Sequence, residues 1–186
     1  MPQYSVRVEY ALHSLLNLSL ANSATAPSAR DLADFQKLPI AFMRKLLTQL
    51  EKSGLVAAAE GVQGGWRLSR PPEEITVLAI VEAAQGKKAL FECREIRGRC
   101  ALWSDDAPPL GARSGVCEIH AVMLAAEHAM RAELARHTLA DIALSVRTKS
   151  PRFVTKSVPG WFAARYSDRR RSASETTTKP RPKAAT

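Results

Sequence analysis

The sequence is short of cysteine, short of acidic residues in its last quarter, and without any long apolar run. Each shortage excludes something. Three cysteines are an odd number and fit a disulfide framework poorly. No apolar stretch approaches the roughly 18 residues of a membrane span, so no membrane partner is expected. The opening residues, MPQYSVRVEYALHSLL, lack the basic start, apolar middle and small-residue cleavage site of an export signal. The expectation is a cytoplasmic chain whose thiols stay reduced and serve either as core residues or as metal ligands. Catalytic signatures are missing too. There is no Cys–His–Asp arrangement, no glycine-rich phosphate loop before a helix, and no pair of catalytic carboxylates. An enzyme is therefore not expected.

What is present suits one ordinary domain with a core, plus a tail: 186 residues, 46% of them hydrophobic. The net charge of +9 is unevenly placed. Residues 1–146 hold 16 basic and 16 acidic side chains and are neutral. The whole excess falls in residues 147–186, where 11 basic residues meet only Asp168 and Glu175.

Apolar spacing organises the rest. Val8, Leu12, Leu15 and Leu16 predict an amphipathic helix over residues 5–20. Ser28 reads as an N-cap, with Asp31 as its capping-box partner, for a short helix ending near Lys37. Pro39 suits the first turn of the next helix, whose stripe is Ile40, Met43, Leu46, Leu47 and Leu50, with Gly54 as terminator. Residues 55–70 place two apolar stretches around a glycine-rich turn and read as a β-hairpin. Thr76 caps a helix closed by Gly86, and a long helix is predicted over 118–136. Thr138 and Asp141 cap a last short one. Past Thr148 the chain is rich in Lys, Arg, Ser, Thr and Pro and reads as a flexible tail. VPGWFAARY (158–166) is the exception, since its aromatics give it something to dock.

Helix, short helix, helix and hairpin within about 70 residues is the order of a winged helix-turn-helix. The second helix of the pair would lie in the major groove, with Ala41, Phe42, Arg44 and Lys45 exposed near its start. Arg and Lys donate to guanine acceptors or phosphates, and a Phe touches a thymine methyl. The turn GVQGG, with Gln63, Gly64 and Gly65, is the candidate wing, and Arg67 follows it. Ser28 and Arg30 join the candidate contacts at the start of the preceding helix. The plainer alternative is a small helical domain with a solvated face, because residues 1–75 carry 8 basic and 7 acidic side chains.

Several stretches together carry a resemblance. VEYALHSLLNLSLA, ARDLADFQKLPIAFMRKLLTQLEKSGLV, GVQGGWRLSRPPEEITVLAIVEAAQG and the late cysteines followed by TLADI span residues 5–145. In these the chain resembles the Rrf2 family of bacterial transcription regulators. The resemblance implies a mainly α fold: a winged helix-turn-helix, with helices and a two-stranded β wing, and a long C-terminal dimerisation helix. The expected organisation is a DNA-binding domain over 1–86 and a cysteine-bearing cluster loop over 87–117. The dimerisation helix and final short helix follow over 118–147, and the basic tail over 148–186. The implied partners are a second copy of the chain and a pseudo-palindromic operator on double-stranded DNA. The implied cofactor is an iron–sulfur cluster that sets operator affinity. One departure is Glu60, where many relatives carry an arginine just before the wing glycines. A carboxylate there repels phosphates.

Cys93, Cys100 and Cys117 have a long second gap, whereas cluster-binding members usually space three cysteines closely. Clusters are commonly held by four protein ligands. Glu9 and His13 stand four apart on the first helix and project from one side. The resemblance implies that a ligand can come from that helix of the other subunit. Glu9 and His13 of one chain with two cysteines of the other then complete a four-ligand site. Nitrogen and oxygen donors favour [2Fe–2S] over [4Fe–4S]. Cys93 follows apolar Leu90 and Phe91, and Cys117 begins the long helix, whose N-terminus favours negative charge. These two are the expected ligands, with Cys100 in reserve. Tyr10, beside Glu9, is the candidate redox switch. Open alternatives are a surface ion pair for Glu9 and His13, and buried apolar roles or a zinc site for the cysteines. A cluster-free regulator that senses a ligand or a thiol modification, with Cys100 beside Arg99 as the reactive thiol, is also open.

Overall fold

Residues 8, 11, 15 and 18 recur at helical spacing, and Val8, Ala11, Leu15 and Leu18 are buried on the inner side of α1 (Val6–Leu20). The computed structural model describes residues 4–21, 25–59, 64–99, 101–103, 111 and 114–177. The buried stripe is turned slightly from the expected one, since Leu12 and Leu16 lie at its edge and are only partly buried. Ser14, fully buried, accepts a hydrogen bond from Gln36 Nε2 at 2.9 Å and lies 3.7 Å from the Met43 sulfur. It links α1 to the two helices that follow.

Those are α2 (Ala29–Gln36) and α3 (Ile40–Lys52). The turn between them is tight because Lys37 adopts a left-handed φ of 55°, which lets the Leu38 N–H reach the Ala33 carbonyl at 2.8 Å. Pro39 sits just ahead of α3 as its N-cap, with extended backbone, rather than inside the first turn as expected. Gly54, at φ +66°, closes α3 in the same manner, with the Leu55 N–H on the Leu50 carbonyl at 3.0 Å.

The hairpin pairs β1 (Val56–Ala59) with β2 (Gly65–Leu68), with Val56 opposite Leu68 and Ala59 opposite Gly65. α4 (Val77–Gln85) is capped by the Thr76 hydroxyl, which accepts the Ala79 N–H at 3.1 Å. α5 (Glu118–Arg136) and α6 (Leu139–Lys149) complete the expected elements. The Leu139 N–H donates to the Ile75 carbonyl and the Val77 N–H to the His137 carbonyl, both at 2.8 Å, so α6 is fastened to the start of α4. α5 buries none of its residues in this chain. Ile119 and Val122 are about two-thirds exposed, at 68% and 66%.

The tail corrects the expectation of flexibility. Residues Arg152–Thr177 form a 26-residue helix, α7, with Pro159 in its interior. Val158 and Phe162 are buried in the main core, and Trp161 packs against it. The Phe162 and Trp161 rings each lie 5.1 Å from the Phe35 ring of α2. Residues 178–186 lie outside the described part.

Candidate nucleic-acid interface and thiol site

α3 turns Met43, Leu46, Leu47 and Leu50 inward, all fully buried, which leaves Ala41, Arg44 and Lys45 exposed. These three match the sequence expectation. Thr48 is exposed on the same face and was missed, although its spacing of four from Arg44 and three from Lys45 was available. Phe42 is half-buried, with its ring edge-on to Tyr10 at 5.5 Å and 83°. The candidate switch residue on α1 therefore touches the candidate recognition helix directly.

At the start of α2 the Ser28 hydroxyl accepts the Asp31 N–H at 3.1 Å and donates to Asp31 Oδ2 at 2.8 Å. The Ser28 N–H donates to the same oxygen at 2.8 Å. The capping box thus directs both Ser28 hydrogens at Asp31, leaving neither for a phosphate. Arg30, next on the helix, is exposed.

The hairpin is fixed to this same segment. Gly65 lies so close to Ala26 that a Cβ would run into the Ala26 backbone. The Trp66 N–H donates to the Pro27 carbonyl at 2.8 Å, while the Trp66 side chain packs on the core. Gly64 is exposed, as is Arg67, which stands opposite Ala57. Gln63 and Glu60, in the turn, lie outside the described residues.

Cys93 and Cys117 are half-buried and line one cavity of about 330 Å³, with Phe91, Ile96, Arg97 and Ile119 in its walls. Arg97 organises this corner. Its guanidinium pairs with Glu95 at 2.7 and 2.9 Å and donates to the carbonyls of Ser114 and Gly115 at 3.4 and 3.2 Å. It thereby ties the Cys93 segment to the Cys117 segment. Trp103 Nε1 donates to the Arg97 carbonyl at 2.9 Å. The Glu95 hydrogen bond raises the Arg97 pKa above its ordinary value; burial opposes this, and the charges of Glu95, Cys117 and Cys93 add to it. Cys117 is the N-cap of α5 by backbone conformation, though its side chain caps nothing. Cys100 lies outside the described residues.

Glu9 and His13 are exposed on the outer side of α1. Among the described residues no three His, Cys, Asp or Glu side chains gather into a metal-binding group, so one protomer does not unite Glu9 and His13 with Cys93 and Cys117. A site shared across two subunits requires no such grouping within one chain.

The sequence profile of Rrf2, described as an iron-dependent transcriptional regulator, matches residues 4–144. The chain belongs to the Rrf2 family. The Rrf2 protein of Nitratidesulfovibrio vulgaris is 28% identical over 138 residues, which is 74% of this chain and 85% of that protein. Two solved structures share the fold. CymR, the global cysteine regulator of B. subtilis, superposes with a TM-score of 0.61 at 21% identity, covering 78% of this chain and 98% of CymR. IscR of T. potens gives 0.60 at 20% identity, covering 81% of this chain and 92% of IscR. Like other Rrf2 members, the chain is a DNA-binding transcriptional regulator with a winged-helix fold.

Proposed function

We propose that this Rrf2 member works as a cytoplasmic homodimer on a pseudo-palindromic operator, with an affinity set by an iron–sulfur cluster. In this reading Arg44, Lys45 and Ala41 of α3 read base edges, and Phe42 offers its exposed part to a thymine methyl. Arg30, Arg67 and the wing residues Gln63 and Gly64 meet phosphates, while Gly65, buried against Ala26 and so withdrawn from the expected contacts, seats the wing, and Ser28 orders the start of α2 through its cap. The uncovered apolar side of α5, with Ile119 and Val122, pairs with its copy.

The observation that carries the sensing half is the shared cavity of Cys93 and Cys117. Two cysteine sulfurs on one largely apolar wall suit half of a cluster's ligand set. The exposed Glu9 and His13 are free of the core and able to supply the other half from the partner subunit. This mixed donor set favours [2Fe–2S] over [4Fe–4S]. Such a cluster supplies an electron couple whose potential imidazole ligation raises and links to proton binding. The chain's own residues transmit the state. Glu9 and His13 flank Tyr10 on α1, and Tyr10 meets Phe42 on α3, so a shift of α1 reaches the base-reading face through one aromatic contact.

A second reading has its own support. Arg97 lines the same cavity as both cysteines, a setting that also suits a thiol switch without metal. Iron and acid-labile sulfide analysis after anaerobic purification separates the two readings. Iron and sulfide are expected in equal amounts, lost in Cys93→Ser, Cys117→Ser and His13→Ala. Operator affinity should differ between oxidised, reduced and metal-free protein. Colourless protein without iron, whose binding changes on thiol oxidation, would establish the second reading instead.

A further inference from the structure

The family profile ends at residue 144, so α7 lies wholly beyond it. It runs antiparallel to α2. Trp161 and Phe162 meet Phe35 near the end of α2, Arg165 pairs with Asp34, and Arg169 pairs with Asp31 in the first turn. Each arginine also lies on a ring of its own helix, Arg165 at 5.0 Å from the centre of Trp161 and Arg169 at 5.4 Å from that of Tyr166. The stacking and the ion pair together fix the guanidinium fork of Arg169, whose side chain is 26% exposed.

The two prongs of that fork do different things. Nη1 pairs with Asp31, which is 4% exposed and also receives both Ser28 hydrogens. Nη2 donates to the Ala26 carbonyl at 2.9 Å, ahead of α2. Gly65 of the wing abuts that same carbonyl, since a Cβ on Gly65 would run into the Ala26 oxygen. One residue further along each strand of chain, the Trp66 N–H donates to the Pro27 carbonyl at 2.8 Å. Ala26 and Pro27 belong to no helix or strand, so no regular ladder of hydrogen bonds fixes them. Packing beside them is open as well. A cavity of about 340 Å³ lies between the end of α1, this segment and Trp66, Arg67 and Leu68 of β2. A segment of this kind is placed by its few specific contacts, and Arg169 supplies one of them.

We propose that Arg169 is a positioning residue for the wing: by holding the Ala26 carbonyl to α7 and to the first turn of α2, it fixes the seat of β2 and so the place where the wing meets DNA. α7 need not touch DNA for this. The inference rests on the wing contacts proposed above.

The test uses the full chain, a duplex it selects from a random-sequence pool, and two variants. Arg169→Met keeps the aliphatic stem and removes both donors, while Val158, Phe162 and Arg165 keep α7 docked. Gly65→Ala attacks the same contact from the wing. Operator affinity of Arg169→Met should fall about threefold to tenfold. Its Trp66 amide should exchange with solvent faster, while the amides of α3 keep the parent's rates. Backbone protection on the wing side should shrink, and guanine contacts in the major groove should persist. The double variant should lose little beyond either single one, because both break one contact. Unchanged Trp66 exchange with wing-side protection intact would overturn this inference, as would losses that multiply in the double variant. Faster exchange across α2 and α3 alike would also overturn it, since Arg169 would then stabilise the fold without singling out the wing. A parent chain that selects a duplex but leaves its wing side unprotected would overturn the wing-contact reading instead; faster Trp66 exchange in Arg169→Met would still uphold the seating of the wing.

Discussion

At the residue scale the proposed base-reading face rests on a simple division of α3. Four fully buried apolar side chains fix which side faces in, and Arg44 and Lys45 are exposed by that choice. Arg44→Ala should weaken operator binding by about tenfold to a hundredfold, equivalent to about 1–3 kcal/mol. Glu60→Ala should leave binding unchanged or tighten it, because a carboxylate beside the wing repels phosphate. Gel-shift titrations ranking the two variants the other way would discard the assignment. Ser28 illustrates what residue type does not disclose. Ser at a helix start suits both a cap and a phosphate donor, and the geometry assigns its hydrogens to Asp31.

At the scale of elements, α1 to α6 and the hairpin follow from apolar spacing and caps. Ser28 with Asp31 and Thr138 with Asp141 both form complete capping boxes. α7 was hidden by composition. Its Lys, Arg, Ser, Thr and Pro content resembles a disordered tail, yet Val158, Phe162, Arg165 and Arg169 recur every three to four residues. That stripe mixes apolar and basic residues, so hydrophobicity alone does not register it. Its lower half is held by ion pairs with α2 rather than by apolar burial. Phe162→Ala should destabilise the protein by about 3–5 kcal/mol in urea unfolding, because Phe162 is 1% exposed. A variant as stable as the parent would mean that α7 does not pack on the core in solution.

For the whole molecule, the uncovered side of α5 is the feature a single chain leaves unresolved. A 19-residue helix with no buried residue and with Ile119 and Val122 facing water is stable only if something covers it. Ile119→Asp with Val122→Asp should convert a dimer to a monomer in sedimentation analysis and abolish operator binding, since two half-sites need two recognition helices. A double variant that remains dimeric would move the interface elsewhere. The same dimer is where Glu9 and His13 of one subunit would meet Cys93 and Cys117 of the other. On the proposed reading, the sensing site and the DNA interface depend on one association.

The order of α1 to α6 and the hairpin, the inward face of α3 and the two capping boxes were determined by local sequence, because spacing and caps act within a few residues. Which charges matter was decided only by tertiary structure. The excess of +9 lies in the last 40 residues by count, and counting alone treats them as a detached cationic tail. Folding brings Arg165 and Arg169 across more than 130 residues to Asp31 and Asp34. It likewise brings Cys93 and Cys117 to one cavity and Tyr10 to Phe42. Pairings between distant residues arise from packing of whole elements, and no local pattern encodes them.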